Sequence, residues 1–232
     1  MKKSLIKFIG GVFFIMIMIS AMADSKVIYS IDFTKATDSD ARDWLKQHGF
    51  SKIESAAKDP DELGLYFQNN SLVLDTKTQL FAFMLNPSLH LNNAKTIRIT
   101  WGIIQFPNGA SYDNGVRNEA LMVYIYYGDQ NQDSDSFFIP NCPYFIGLYL
   151  GQNDTIGKFF TGRHFTEGGR FLCLGNPKLN ETVTSEYNIH DGFMKAFPNA
   201  GPTPFISGIA LEVETSSTGP AKAFIKKIEI LD

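Results

Sequence analysis

The sequence predicts an all-β protein, with one or two short helices beside two stacked antiparallel sheets. Three observations lead there. Apolar and polar residues alternate with period two at the start of the chain proper: Val27, Tyr29, Ile31 and Phe33 on one side, Ser30 and Asp32 between them. Short apolar segments then recur at close spacing to the C-terminus. The separators are rich in Asn, Asp, Gly and Pro, among them Asn108-Gly109, Asp113-Asn114-Gly115 and Gly201-Pro202, residues that favour turns through φ and local hydrogen bonds. Many short strands joined by polar turns must cover their apolar faces by stacking, which gives a β-sandwich.

Before the first strand stands a leader. Lys2, Lys3 and Lys7 precede an apolar run over 8–19, followed by Ser20 and Ala21-Met22-Ala23, the order of a cleavable secretory signal peptide over 1–23. The run is shorter than the ~20 residues a spanning helix needs, and no Cys follows it to accept a lipid. The expected mature chain, 24–232, is a single domain without a membrane anchor, periplasmic or secreted. Its size lets it bury a core without a metal or cysteine staple. Removing the three leader lysines from 21 basic residues leaves 18 against 24 acidic ones, a net charge of −6. The bases are scattered, with Lys226-Lys227 the sole adjacent pair beyond the leader. Nucleic acid requires a clustered basic face and is excluded as a partner.

After the opening strand, Ser39 precedes Asp40, Ala41, Asp43, Trp44 and Leu45, with Lys46 late and Gly49 beyond. This reads as a short capped helix aligned with its macrodipole, packed onto a sheet by Trp44. Strands are expected over 64–68, 71–75, 79–85, 96–104, 120–127, 144–150, 158–161, 170–174, 182–187, 205–214 and 221–231. In the fourth of these, Trp101 alternates with Ile97, Ile99 and Ile103 and belongs in the core. A second helix is expected where Ile189, Phe193 and Phe197 recur every four residues before Pro198, capped by Asn188; Gly192 is unfavourable within it.

Candidate sites follow from this alternation. Leu121, Val123 and Ile125 should face the core, which turns Met122, Tyr124 and Tyr126 to the opposite sheet face, as a ligand platform or as side chains beneath a loop. Arg117 and Glu119 lie two apart and would point one way if the strand already extends there, either to hold a polar ligand or to close the strand end as a salt bridge. Arg163 and His164 form a second polar cluster with Arg170 nearby, and His164 supplies an imidazole, the side chain suited to acid–base work near neutral pH. Asp129, Asn131, Asp133 and Asp135 set oxygen atoms at alternate positions, as calcium requires, but Ser134 and Pro140 stand where an EF-hand has Gly and Glu. A structural calcium is the cofactor this loop would admit, and no other cofactor is expected. Cys142 and Cys173 are either a disulfide, closing a loop of about thirty residues worth roughly 3–4 kcal/mol, or two buried thiols. The nucleophile-elbow, zinc-protease, P-loop and dinucleotide motifs are absent.

Two resemblances add to this reading. Arg117-Asn-Glu-Ala-Leu121 resembles the Arg-Ser/Thr-Glu-Leu-Arg strand of alginate-lyase-type jelly rolls over three residues, with Leu121 in place of the second Arg and the companion Gln-Ile-His strand missing. More of the chain, with Asn188-Ile-His-Asp-Gly-Phe193, Pro204-Phe-Ile-Ser-Gly-Ile-Ala210 and the closing strand through Leu231, is similar to an exported bacterial family catalogued only as a domain of unknown function. That resemblance implies an antiparallel jelly-roll β-sandwich, related in shape to carbohydrate-binding modules, and carries over no catalytic residues. The expected function is an exported binding module for a glycan or another cell-envelope component, using Tyr124, Tyr126, Arg117, Glu119, Arg163 and His164. A polysaccharide lyase or glycoside hydrolase, and a scaffold for envelope proteins, are the alternatives.

Overall fold

A computed structural model describes residues 25–36 and 40–232; the expected leader over 1–23 and Ser39 lie outside them. The chain runs β1 (Val27–Asp32), α1 (Ala41–Gln47), β2 (Lys52–Ser55), β3 (Leu63–Phe67), β4 (Leu72–Thr76), β5 (Phe81–Asn86), β6 (Thr96–Gln105), β7 (Glu119–Gln132), β8 (Cys142–Leu150), β9 (Phe159–Phe160), β10 (Gly169–Gly175), β11 (Val183–Asn188), α2 (Ile189–Ala196), β12 (Ile206–Glu214) and β13 (Lys222–Leu231). The predicted all-β sandwich is what these strands build. One sheet has the order β11-β6-β13-β4-β3, with β1 also on β13. Strands β4 and β1 share one edge of β13 end to end, β4 along Lys222 to Ile225 and β1 along Lys227 to Leu231. The other sheet has the order β2-β5-β12-β7-β8-β10-β9.

Period-two alternation decides which side chains lie between the layers. Ile97, Ile99, Trp101 and Ile103 of β6 meet Leu121, Val123 and Ile125 of β7 in one core, joined by Ile209, Leu211 and Val213 from β12. The two predicted helices are present and close the ends. Asp40 caps α1, accepting from the Arg42 and Asp43 amides at 2.9 and 3.0 Å, and Trp44 packs into the core. Asn188 caps α2 by accepting from the Asp191 amide. Gly192 has a reason to sit inside that helix: a Cβ there would collide with the Tyr187 hydroxyl.

Two features depart from expectation, and one open alternative is decided. Strand β2 is one the periodicity does not predict, because in Lys52-Ile-Glu-Ser55 only Ile53 turns inward and one apolar residue leaves no periodic signal. Strands β8 and β10 run parallel, so the seven-stranded sheet is mixed. Cys142 and Cys173 are free thiols and not a disulfide. Cys173 lies opposite Tyr149 in the β8–β10 register, seven residues along β8 from Cys142, and at ~3.3 Å per residue that places them roughly 23 Å apart. Bridging needs Cα atoms within ~7 Å. Burial raises both thiol pKa values, that of Cys142 to about 12, so neither is a ready nucleophile.

Candidate groove on the seven-stranded sheet

The outer face of the seven-stranded sheet is not a solvated surface. Met122, Tyr124 and Tyr126 from β7 join Phe145 and Tyr149 from β8, Cys173 from β10, Ala210 from β12 and Tyr112 in a second apolar cluster, separate from the interlayer core. A sheet apolar on both faces needs a second cover. Here part of the cover is missing, and a groove of about 980 Å³ remains.

Small residues carve it. Tyr124 sits across from Gly147 on one side and Ala210 on the other, and Tyr126 across from Gly208. A Cβ at Gly147 would run into the Met122 sulfur, and one at Gly208 would come within 2.9 Å of the Asn86 carbonyl oxygen. One wall comes from β5, whose outward positions carry Phe81 and Phe83, with rings parallel to within 10° and centroids 6.3 Å apart. Phe81 is 39 % exposed. Other walls come from the segment with Tyr112 and Arg117, from Ile139-Pro140-Asn141, and from Arg163-His164-Phe165.

Below the rings lie two buried glutamates, one from each of the central strands β7 and β12. The Tyr124 hydroxyl donates to Glu212 Oε1 at 2.7 Å, and the Tyr112 hydroxyl donates to Glu119 Oε2 at 2.6 Å. Burial pushes both carboxyl pKa values up. For Glu119 the rise is large and the negative charge of Glu212 adds to it; for Glu212 it reaches about 8, with the Tyr124 hydroxyl opposing and Glu214 adding. The two carboxyls are near enough for each to influence the other's protonation. Glu119 Oε1 is buried with no hydrogen-bond partner, a setting that favours the neutral acid over the carboxylate. Tyr112 is fixed in turn by stacking on Tyr149 at 4.4 Å, whose hydroxyl donates to Asp154 Oδ2. At neutral pH the groove floor is therefore a hydrogen-bonding but largely uncharged surface.

Of the residues singled out from sequence, Arg117, Tyr124, Tyr126, Arg163 and His164 all line this groove. Tyr124 and Tyr126 form its floor and are only 5 % and 9 % exposed. Glu119 does not share a face with Arg117. It begins β7 and is sealed behind Tyr112 at 2 % exposure, while Arg117 stands before the strand and is exposed. Their ion pair does not form; Glu119 Oε2 accepts from the Tyr112 hydroxyl. Arg170 lies away from the groove, with its guanidinium 5.1 Å from the Phe197 ring centroid. The oxygen-rich run 129–135 is not one loop either, since β7 continues through Gln132. Asp133 accepts from the Asp135 amide and Asp135 accepts from the Thr166 amide and hydroxyl. Among the described residues no three His, Cys, Asp or Glu side chains gather as a metal site would require.

Sequence reasoning missed Glu212, Glu214, Phe81, Phe83 and Tyr112. The signal for four of them was present. In β12, Ile209, Leu211 and Val213 take the core face and leave Glu212 and Glu214 on the other; in β5, Ala82 and Met84 do the same for Phe81 and Phe83.

No protein-family model and no curated protein matches the chain. Among solved structures it is similar to the carbohydrate recognition domain of Emp46p in its potassium-bound form, at 14 % identity and a TM-score of 0.40, covering 87 % of this chain and 95 % of that one. It is similar to a family 12 xyloglucanase from Bacillus licheniformis at 8 % identity and a TM-score of 0.41, over 72 % and 84 %. A third likeness is to the cleaved adhesin domain of Lys-gingipain from Porphyromonas gingivalis, at 13 % identity and a TM-score of 0.35, over 87 % and 96 %. At such scores the groove's own residues are the ground for a function.

Proposed function

We propose that the groove binds a neutral glycan and that the protein is an exported binding module, presenting this face to a carbohydrate of the cell envelope in the periplasm or medium. One observation carries the reading: the parallel, partly exposed rings of Phe81 and Phe83 share a groove with the hydrogen-bonded Glu212–Tyr124 pair. A pyranose has an apolar face of C–H groups, which suits the negative face of an aromatic ring, and a rim of hydroxyls that each need a donor or acceptor. A protonated carboxyl supplies both. The volume fits the range of about 300–1,000 Å³ typical of small-ligand sites.

Charge supports neutrality of the ligand. Around the groove Lys52, Arg117 and Arg163 are matched by Glu54, Asp129 and Glu214, so a polyanionic chain would meet as many carboxylates as cations. Binding is favoured over cleavage by the carboxyl geometry. Glycosidases hold two carboxyls about 5–9.5 Å apart on either side of the scissile bond, whereas Glu119 is sealed behind Tyr112, out of reach of a ligand, and is no catalytic partner for Glu212.

A glycan array probed with the mature protein tests this. Saturable binding to neutral glycans is expected, and the Phe81→Ala/Phe83→Ala variant, which opens no interlayer cavity, is expected to lose at least roughly tenfold in affinity. New reducing or unsaturated ends appearing over time would replace the reading by a hydrolase or lyase. Silence across the array would leave a scaffold for envelope proteins.

A further inference from the structure

Two aromatic rings project from the molecule where no core requires them. Phe137 and Phe138 are 97 % and 90 % exposed, adjacent in the loop between β7 and β8, with ring planes at 89°. The loop that carries them is firmly built. Ser134 is fully buried; its amide donates to Asn141 Oδ1 and its hydroxyl lies within hydrogen-bonding distance of the Ser136 and Ile139 carbonyls. Asp135, in the left-handed region at φ 57°, receives the Thr166 amide and hydroxyl at 2.7 Å each. The Phe165 amide donates to the Ser134 carbonyl. These bonds close the base of the loop and tie it to the segment bearing His164 and Phe165, which leaves its tip outward. Directly after Phe138 the chain becomes groove wall, through Ile139, Pro140 and Asn141.

We infer that Phe137 and Phe138 extend the groove, contacting sugar rings of a long neutral glycan beyond those held between Phe81, Phe83 and Glu212. The inference rests on the glycan reading of the groove and assigns that ligand a length. Continuity of the loop with the groove wall favours the same ligand as occupant. The loop's charges disfavour a lipid surface: from 129 to 141 there are three carboxylates, Asp129, Asp133 and Asp135, and no Lys or Arg, where membrane-seeking loops place cations beside their aromatics.

The test compares the mature protein with its Phe137→Ala/Phe138→Ala variant by calorimetric titration with disaccharides and hexasaccharides of neutral cello-, xylo-, manno- and malto-oligosaccharide series. The side chains are exposed, so melting temperature is expected to be unchanged. The hexasaccharide that binds the wild type is expected to bind the variant roughly tenfold more weakly, as for loss of two aromatic contacts, with the matching disaccharide unaffected. Equal hexasaccharide affinity in both proteins overturns the inference and leaves the groove reading standing. If no hexasaccharide of the panel binds the wild type, both fall. Co-sedimentation of the wild type, but not the variant, with phosphatidylcholine vesicles also overturns it, by giving the two rings to a bilayer.

Discussion

Between pH 4.5 and about 8 the protein is expected to lose stability as pH rises, and the Glu119→Gln/Glu212→Gln variant is expected to lose far less. In the folded chain Glu212 keeps its proton up to about 8 because it is buried, with the charge of Glu214 adding, against an ordinary value of 4.5. The unfolded chain has released that proton across the same interval, so the native state binds more protons and unfolding free energy falls with pH, by up to about 1.4 kcal/mol per pH unit for each full proton. The contribution is complete below 4.5 and is lost as pH passes through about 8. Glu119, raised strongly in the same direction, continues the fall. Amides keep the hydrogen bonds without the proton, so the double variant flattens the curve. Asp113 and Asp135, whose pKa values are lowered by Lys158 and Thr155 and by Thr166 respectively, act below about pH 4 and do not confuse the window. Urea midpoints at about pH 5, 6.5 and 8 decide the matter; an equal slope in both proteins would mean that the two carboxyls do not hold their protons in the folded state.

Trp101→Ala is expected to cost about 3–5 kcal/mol, the range for truncating a large aromatic in a packed interior. Trp101 is fully buried at the centre of β6, and its indole N–H donates to Ser185 Oγ at 3.1 Å. The side chain holds β6 against both its neighbour β11 and the facing sheet, so its loss leaves a cavity between layers that relax only in part. Trp101→Phe retains most of the volume and is expected to lose about 1–2 kcal/mol, chiefly the hydrogen bond and some contact. Denaturant titrations measure both. A loss below about 1 kcal/mol for the alanine variant would mean that the layers close over the gap.

Much of this architecture was legible because period-two alternation is imposed by the layers themselves. The residues of β7 show how far that goes. Leu121, Val123 and Ile125 went to the core and Met122, Tyr124 and Tyr126 to the opposite face, as the pattern requires. Alternation does not say whether that opposite face is open or covered, and here Phe83, Phe145 and Phe171 pack against the tyrosines, leaving a groove and not a flat platform. The Glu119–Glu212 contact was hidden for a different reason. It brings together residues 93 positions apart because β7 pairs with β12, where Glu119 stands opposite Glu214 and Glu212 opposite Met122 across a register shift, and register is a property of strand pairing that a single sequence does not display. The cysteines stayed open in the same way: the sequence admitted a bridge or two thiols, and the parallel β8–β10 pairing is what sets them apart.

The most direct test of the account is amide chemical-shift mapping of the isotope-labelled mature domain, titrated with the neutral oligosaccharide series. The account predicts saturable shifts on the groove face of the seven-stranded sheet, at Phe81, Phe83, Tyr124, Tyr126 and Gly208, with the six-stranded sheet silent. Shifts centred on the outer face of the six-stranded sheet, around Val73 and Phe224, or no shift at any concentration, would contradict it.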